Sequence, residues 1–124
     1  MFSSSTTRLV LLVKDFRKSL HFYRDLLNLT PSYPPSENWV EFKIGDLLLC
    51  LHGPWDGMPY NLNDFARSPD ELLFRVDDIQ KATDFLTAAG IEVSEPHNPS
   101  PEIVVVEISD PDGRRIGIES MVKS

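Results

Sequence analysis

The chain begins with a short unbroken apolar run, followed by apolar residues at helical spacing. The run Arg8–Val13 predicts a strand covered on both faces. Asp15 is suited to cap a helix, and the apolar stripe that follows predicts this helix over Asp15–Leu27. Asn28 tolerates a left-handed backbone and is expected to end it. The first two elements are therefore a strand and a capped helix.

A proline-rich stretch, a hairpin and a long loop come next. The three prolines of Thr30–Ser36 restrict it to a loop or an edge strand. Trp39–Ile44 and Leu47–His52 predict a β-hairpin around Gly45-Asp46. Residues 53–70 then form a long loop containing Trp55, Tyr60 and Phe65. Loops of this length in compact domains usually carry function or link two units.

The same order of patterns then begins again. Glu71–Val76 predicts a strand, Asp78 a second helix cap, and the stripe from Ile79 to Ala89 a helix that ends at Gly90. A short strand is expected near Glu92–Ser94, followed by a proline-rich bend over 96–101.

Two further strands complete this second pattern. They are predicted over Glu102–Ile108 and Arg114–Ser120, and Asp110-Pro-Asp-Gly113 is a strong turn signal between them. The overlay of Arg8–Asp15 on Glu71–Asp78 makes the sequence an internal repeat of two βαβββ modules. We expect an α+β fold in which the modules pair into a curved mixed sheet with a concave cavity. The expected single domain has module 1 at about 7–53, a linking loop at 54–70 and module 2 at about 71–120.

Composition and charge narrow the classes of function. The net charge is −7, and nucleic-acid binding needs clustered positive charge, so we expect no nucleic-acid partner. At most, the acidic balance favours a cationic ligand. No apolar run is long enough to span a bilayer, and no secretion signal is visible at the amino end. Cys50 is the only cysteine, which fits a reducing compartment, so we expect a cytoplasmic protein with no membrane partner.

The segment Val13–Leu27, read as V-x-D-x-x-x-S-x-x-F-Y, together with the Asp110–Gly113 turn, resembles the vicinal oxygen chelate superfamily. This superfamily includes glyoxalase I, bleomycin-resistance proteins, fosfomycin-resistance enzymes and extradiol dioxygenases. The resemblance extends over roughly Thr7 to Glu119. It implies the paired-module fold and a homodimer, but the fold hosts many chemistries and does not define one activity.

The resemblance also implies four positions at which metalloenzymes of the superfamily hold a metal ion. In this chain those positions are occupied by Arg8, Cys50, Glu71 and Gly117. An arginine carries no lone pair for a metal, and glycine has no side chain, so we expect no metal cofactor. Arg8 and Glu71 hold equivalent positions in the two modules, which predicts an ion pair between them. An alternative divalent-metal site could use His52, Glu71 and Glu119.

Two functions follow from these residues. The first is a metal-free protein, similar to the bleomycin-resistance proteins, that binds a small molecule in the sheet cavity. The second is a glyoxalase-like or dioxygenase-like enzyme with the displaced metal, or with Glu71 as a general base. Cys50 is a further nucleophile candidate, although a buried apolar role is the simpler interpretation. The expected ligand-binding residues comprise charged, thiol and imidazole groups on the inward face and aromatic groups on the rim: Arg8, Cys50, His52, Arg75, Arg115, Glu119, Trp39, Trp55, Tyr60 and Phe65.

Overall fold

The fold class is α+β, with two mixed sheets and few helices. The computed structural model describes residues 7–62 and 70–123. The chain divides into two compact units, a first half from Met1 to Ala66 and a second half from Arg67 to Ser124. In the part of the chain that the structure describes, every helix is too short or too polar to cross a membrane.

The first half contains a three-stranded sheet formed by β1 (Arg8–Leu12), β2 (Trp39–Ile44) and β3 (Leu47–His52). The strand order is β1-β3-β2, with β1 parallel and β2 antiparallel to β3. One face of this sheet is apolar and fully buried at Val40, Phe42, Leu49 and Leu51. Because side chains alternate along a strand, the residues between these four lie on the opposite face, which carries the polar groups.

The helix of the first half changes its geometry midway. Asp15 accepts a hydrogen bond from the backbone N–H of Lys18 at 3.1 Å and begins α1 (Phe16–Leu20), as predicted. The next six residues, His21–Leu26, are π-helical, so the predicted regular helix over Asp15–Leu27 is wrong in its second part. The wider π turn lets the adjacent rings of Phe22 and Tyr23 both be buried, with their centroids 5.0 Å apart. Asn28 ends the segment with a φ of 59°.

The second half contains a four-stranded sheet and one regular helix. Its elements are β4 (Glu71–Arg75), α2 (Ile79–Ala88), β5 (His97–Ser100), β6 (Ile103–Ser109) and β7 (Arg115–Met121). The strand order is β4-β7-β6-β5, with β4 parallel to β7 and the other pairs antiparallel. Asp78 caps α2 through the N–H of Lys81, as predicted. Leu86 of α2 and Ile116 of β7 belong to the buried apolar core of this half.

The structure corrects one prediction about the strands and confirms the loop over Thr30–Ser36. The strand expected near Glu92–Ser94 lies instead at β5, inside the segment predicted as a proline-rich bend. Ser94 still contacts β6, because its backbone N–H donates to the Glu107 carbonyl and its hydroxyl accepts from the Glu107 N–H. In the first half, the loop or edge strand of Thr30–Ser36 contributes only an isolated bridge between Pro31 and Phe42. Proline has no N–H to donate, which limits pairing in both segments.

Candidate functional site

The chemical character of the polar face of the first sheet changes from one end of its strands to the other. Register places Arg8 and Lys43 on either side of Leu48 at one end. Glu41 lies opposite Cys50 in the middle, and Trp39 lies opposite His52 at the other end. The face therefore runs from a basic end, through a carboxylate and a thiol, to an aromatic end.

Three rings meet at the aromatic end. The His52 imidazole stacks on the Trp55 ring with centroids 4.2 Å apart and an angle of 6° between the ring planes. Trp39 approaches the other side of His52 edge-on at 5.4 Å. The Trp39 Nε1–H donates to the Tyr33 hydroxyl at 2.7 Å, which fixes the indole. All of these side chains are partly exposed. We refer to Trp39, His52 and Trp55 as the aromatic cluster.

The middle of the face holds a buried carboxylate. The Glu41 side chain is only 10% exposed, and its Oε1 lies 3.3 Å from Nε of Arg8, whose side chain is 57% exposed. The Cys50 Sγ donates to the same oxygen at 3.9 Å. Burial raises the pKa of the Cys50 thiol, and the negative charge of Glu41 raises it further, while Arg8 acts in the opposite direction. The raised pKa favours the protonated thiol over the thiolate, which is the form that binds metals and acts as a nucleophile.

The equivalent face of the second sheet carries paired charges. Arg115 Nη2 donates to Glu107 Oε1 at 2.5 Å and to Glu71 Oε2 at 3.3 Å. The Arg115 guanidinium holds the pKa of the Glu107 carboxyl below its usual range. Arg75, further along, donates from Nε to Glu119 Oε2 at 2.6 Å. Each of the four predicted site residues on this face thus has an oppositely charged partner within its own half. Arg8 pairs with Glu41 and Glu71 with Arg115, and an ion pair between Arg8 and Glu71 stays a prediction.

Gly117 lets the Glu71 carboxylate lie against β7. A Cβ atom at this position would lie 2.7 Å from Leu73 Cδ1 and 3.0 Å from Glu71 Oε2. The space that a metal-ligating side chain would need is therefore taken by Leu73 and Glu71.

Two predicted rim residues lie elsewhere or are not described. Tyr60 is 54% exposed. It lines a cavity of about 440 Å³ with Lys14 and Met58, and its ring is not in contact with the aromatic cluster. Phe65 lies outside the described residues.

Sequence reasoning missed three residues that complete these contacts, namely Tyr33, Glu41 and Glu107. Glu41 and Glu107 could have been found by extending the alternation of β2 and β6, which places them beside Cys50 and Gly117. Tyr33 lies in the proline-rich loop, where no periodic pattern indicates which residue it contacts.

Two mixed sheets of parallel and antiparallel strands, each with a first strand that leads into a capped helix, define a class of α+β proteins with two repeated modules. The family model of the Glyoxalase/Bleomycin resistance protein/Dioxygenase superfamily matches residues 6–118, and the chain belongs to this superfamily. No match was found among curated proteins.

Solved structures show the same fold. A lactoylglutathione lyase from Agrobacterium tumefaciens is 23% identical, with 95% of this chain and 94% of that chain covered and a TM-score of 0.72. An antibiotic binding protein from a Streptomyces species is 26% identical, with coverage of 98% and 99% and a TM-score of 0.73. A fosfomycin resistance protein from Mesorhizobium loti is 16% identical, with coverage of 97% and 93% and a TM-score of 0.68.

The residues at the four positions that the resemblance implies for a metal ion do not fit one. Arg8 presents a cation, burial raises the pKa of the Cys50 thiol, and the position of Gly117 has no side-chain ligand atom. Glu71 is the one competent donor, and its carboxylate accepts from Arg115. Within each half, the described residues contain no group of three His, Cys, Asp or Glu side chains placed to hold a metal ion.

Proposed function

We propose that this protein binds a small planar organic molecule on the polar face of its first sheet, without a metal ion. The observation that carries the proposal is the aromatic cluster, in which the rings of Trp39, His52 and Trp55 are held in fixed contact and remain partly exposed. Aromatic side chains of this kind supply contact area to planar ligands at little cost in conformational entropy. The likeness to an antibiotic binding protein supports a binding role.

The exposed charge on the same face supplies a polar contact in this proposal. The Arg8 side chain is 57% exposed and lies against Glu41 in the middle of the face, whereas Cys50 is fully buried and offers no exposed group. On the second sheet, Arg75, Arg115 and Glu119 remain candidates from the sequence alone, and each is paired with an opposite charge within its own half. Tyr60 and Phe65 remain rim candidates from the sequence alone.

An enzymatic function has less support. A general base needs a carboxylate that is free to accept a proton, whereas Glu71 accepts a hydrogen bond from Arg115. The displaced metal site would need Glu71 and Glu119 as ligands, and both carboxylates face arginines. His52, its third ligand, is in contact with two indole rings. We therefore favour binding over catalysis.

Substitution of either tryptophan should weaken binding of a planar probe. We expect Trp55→Ala and Trp39→Ala each to lower the affinity for the neutral 4-nitrophenylacetamide more than twofold, since a stacked ring contributes about 0.5–1.5 kcal/mol beyond its buried area. Nitroaromatic rings quench indole fluorescence, so a titration followed by tryptophan emission measures the affinity of each variant. Phe85→Ala, at an exposed ring of α2, is the matched control and should have no effect. Affinities unchanged in both tryptophan variants would contradict the proposal.

Metal analysis gives a second test. We expect protein purified without chelator to contain no stoichiometric zinc, nickel, manganese or iron, because Arg8 and Gly117 provide no ligand atoms at two of the four superfamily positions. Inductively coupled plasma mass spectrometry measures the metal content directly. About one metal ion per chain, lost on substitution of His52, Glu71 or Glu119, would favour the enzymatic function over metal-free binding.

We further propose that the protein is a homodimer. Both β1 and β4 are edge strands of their sheets, and they expose the apolar side chains of Leu9, Val10 and Leu73. Exposed apolar edges are usually covered in native proteins, and a second copy of the chain is the partner that the superfamily resemblance favours. Light scattering after gel filtration should give twice the mass of one chain, and Val10→Glu should reduce it. A wild-type mass equal to one chain at all concentrations would exclude the dimer.

A further inference from the structure

The geometry of Arg8 and Glu41 points to a ligand class: we infer that the protein takes a planar aromatic acid, whose ring lies on the aromatic cluster and whose carboxylate is bound by Arg8. This inference rests on the proposed function and adds the charge of the ligand to it. It differs from the expectation drawn from the net charge of −7, which favours a cation. The local charge beside the aromatic cluster is what a bound ligand meets at short range.

Glu41 draws the Arg8 side chain toward the aromatic end of the face. The backbone of Arg8 is paired with Leu48, at the basic end. Its Nε nevertheless lies 3.3 Å from Oε1 of Glu41, which is nearer the aromatic end. Glu41 is only two residues from Trp39 along β2, a rise of about 7 Å. The guanidinium is therefore held beside a residue about 7 Å along β2 from Trp39, a spacing that we infer a small aromatic acid can span.

The ion pair leaves Arg8 able to bind an acid. A guanidinium has five N–H donors in a planar fork, and the contact with Glu41 is through Nε. The terminal nitrogens lie on a side chain that is 57% exposed, whereas Glu41 behind it is 10% exposed. Arginine binds carboxylates through two parallel hydrogen bonds, which fixes the orientation of the acid as well as its position. Glu41 is thus a positioning residue, and Arg8 is the binding residue.

A cationic ligand fits this face poorly. The buried carboxylate that would attract it is already in contact with Arg8 and Cys50. Such a ligand would have to displace the arginine and would meet the second cation of the basic end, Lys43. Removing a buried charge from its partner is costly, so displacement of Arg8 is disfavoured.

Three probes that share one nitrophenyl ring but differ in charge test which ligand charge the wild-type protein prefers. They are 4-nitrophenylacetate, its neutral amide 4-nitrophenylacetamide, and the cation 4-nitrophenethylamine, each titrated by quenching of tryptophan emission. We expect the acid to bind at least tenfold more tightly than the amide, and the amine to bind most weakly. Equal affinities for the acid and the amide would overturn this inference and leave the proposed function standing. Failure of all three to bind would overturn both.

Variants then assign the charge preference to Arg8. Arg8→Met should lower the affinity for the acid at least tenfold and lower the affinity for the amide by a clearly smaller factor, so that the preference for the acid is lost. Lys43→Met removes a cation from the same face, further from the rings, and should change both affinities less than twofold. A loss with Lys43→Met as large as that with Arg8→Met would show a diffuse electrostatic effect and overturn the assignment.

The Glu41→Met variant distinguishes the positioning of Arg8 by Glu41 from the direct effect of the Glu41 charge on an acidic ligand. Removal of a nearby negative charge by itself would tighten binding of an acid, whereas release of Arg8 from its position should weaken it threefold or more. Tighter binding would overturn the role of Glu41. Thermal unfolding of each variant checks that it is folded, and Arg8→Gln, which retains a polar side chain, replaces Arg8→Met if the latter unfolds.

Discussion

Replacement of Asp110 with alanine is expected to lower the free energy of unfolding by about 3–5 kcal/mol, the range for a buried ion pair that loses one partner. The Asp110 side chain has no exposed surface and accepts from Arg114 Nη1 at 2.7 Å. It also accepts from the backbone N–H groups of Asp112 at 2.9 Å and Arg114 at 2.8 Å, which close the turn before β7. Alanine would leave a largely buried guanidinium and two turn N–H groups without this acceptor.

Chemical denaturation followed by circular dichroism measures the effect. Asp46→Ala is the matched control, because Asp46 also lies in the turn of an antiparallel hairpin but is exposed to solvent. We expect the control to change stability by about 0.5 kcal/mol or less. A loss of less than about 1 kcal/mol for Asp110→Ala would mean that the turn is held by its backbone conformation alone.

Cys50 is expected to be nearly inert toward alkylating and disulfide reagents in the native protein. Its side chain is fully buried, and burial together with the negative charge of Glu41 raises its pKa. The thiolate is the reactive form, and a raised pKa lowers its fraction at neutral pH. We expect modification by 5,5′-dithiobis(2-nitrobenzoate) at pH 7.5 to be on the order of 100-fold slower than for free cysteine, with access and pKa both contributing.

The pH dependence of the modification rate shows whether the pKa of Cys50 is raised or lowered. Because the pKa of Cys50 is raised, the rate should continue to rise with pH beyond the point where free cysteine levels off. Unfolding in guanidinium should restore the rate of a free thiol, which serves as the control. A fast native reaction would mean that Cys50 is accessible as a thiolate, and it would strengthen its candidacy as a nucleophile.

Much of the fold could be predicted because the strongest signals in the sequence are local. Asp15 and Asp78 cap their helices through side-chain hydrogen bonds to residues three positions later, so residue type and spacing are sufficient. The hairpin of β2 and β3 follows from two strand-length runs on either side of Gly45-Asp46, and the φ of Gly45 is 58°. The position of β5 could not be found in this way, because its pairing with β6 is irregular and a proline interrupts it.

The candidate site was less predictable because its partners depend on the register between strands. The sequence places Arg8 and Glu71 at equivalent points of a repeat, but it does not reveal which neighbour each charge meets. That neighbour is Glu41 for Arg8, and Arg115 for Glu71. Trp39 and Trp55 were predicted individually, whereas their common contact with His52 requires the pairing of β2 with β3 and the turn after β3.

The π-helical segment His21–Leu26 affects how this chain should be aligned with its relatives. Its hydrogen bonds join residues five apart, as from the Leu27 N–H to the Phe22 carbonyl at 2.9 Å, so it accommodates one residue more than an α-helical turn. An alignment with a relative whose helix is regular therefore needs a one-residue gap between Leu20 and Leu27. Without this gap, every later residue of the helix would be assigned to a face rotated by about 100°. The same reasoning identifies this segment as the place where loss of a single codon would restore a regular helix.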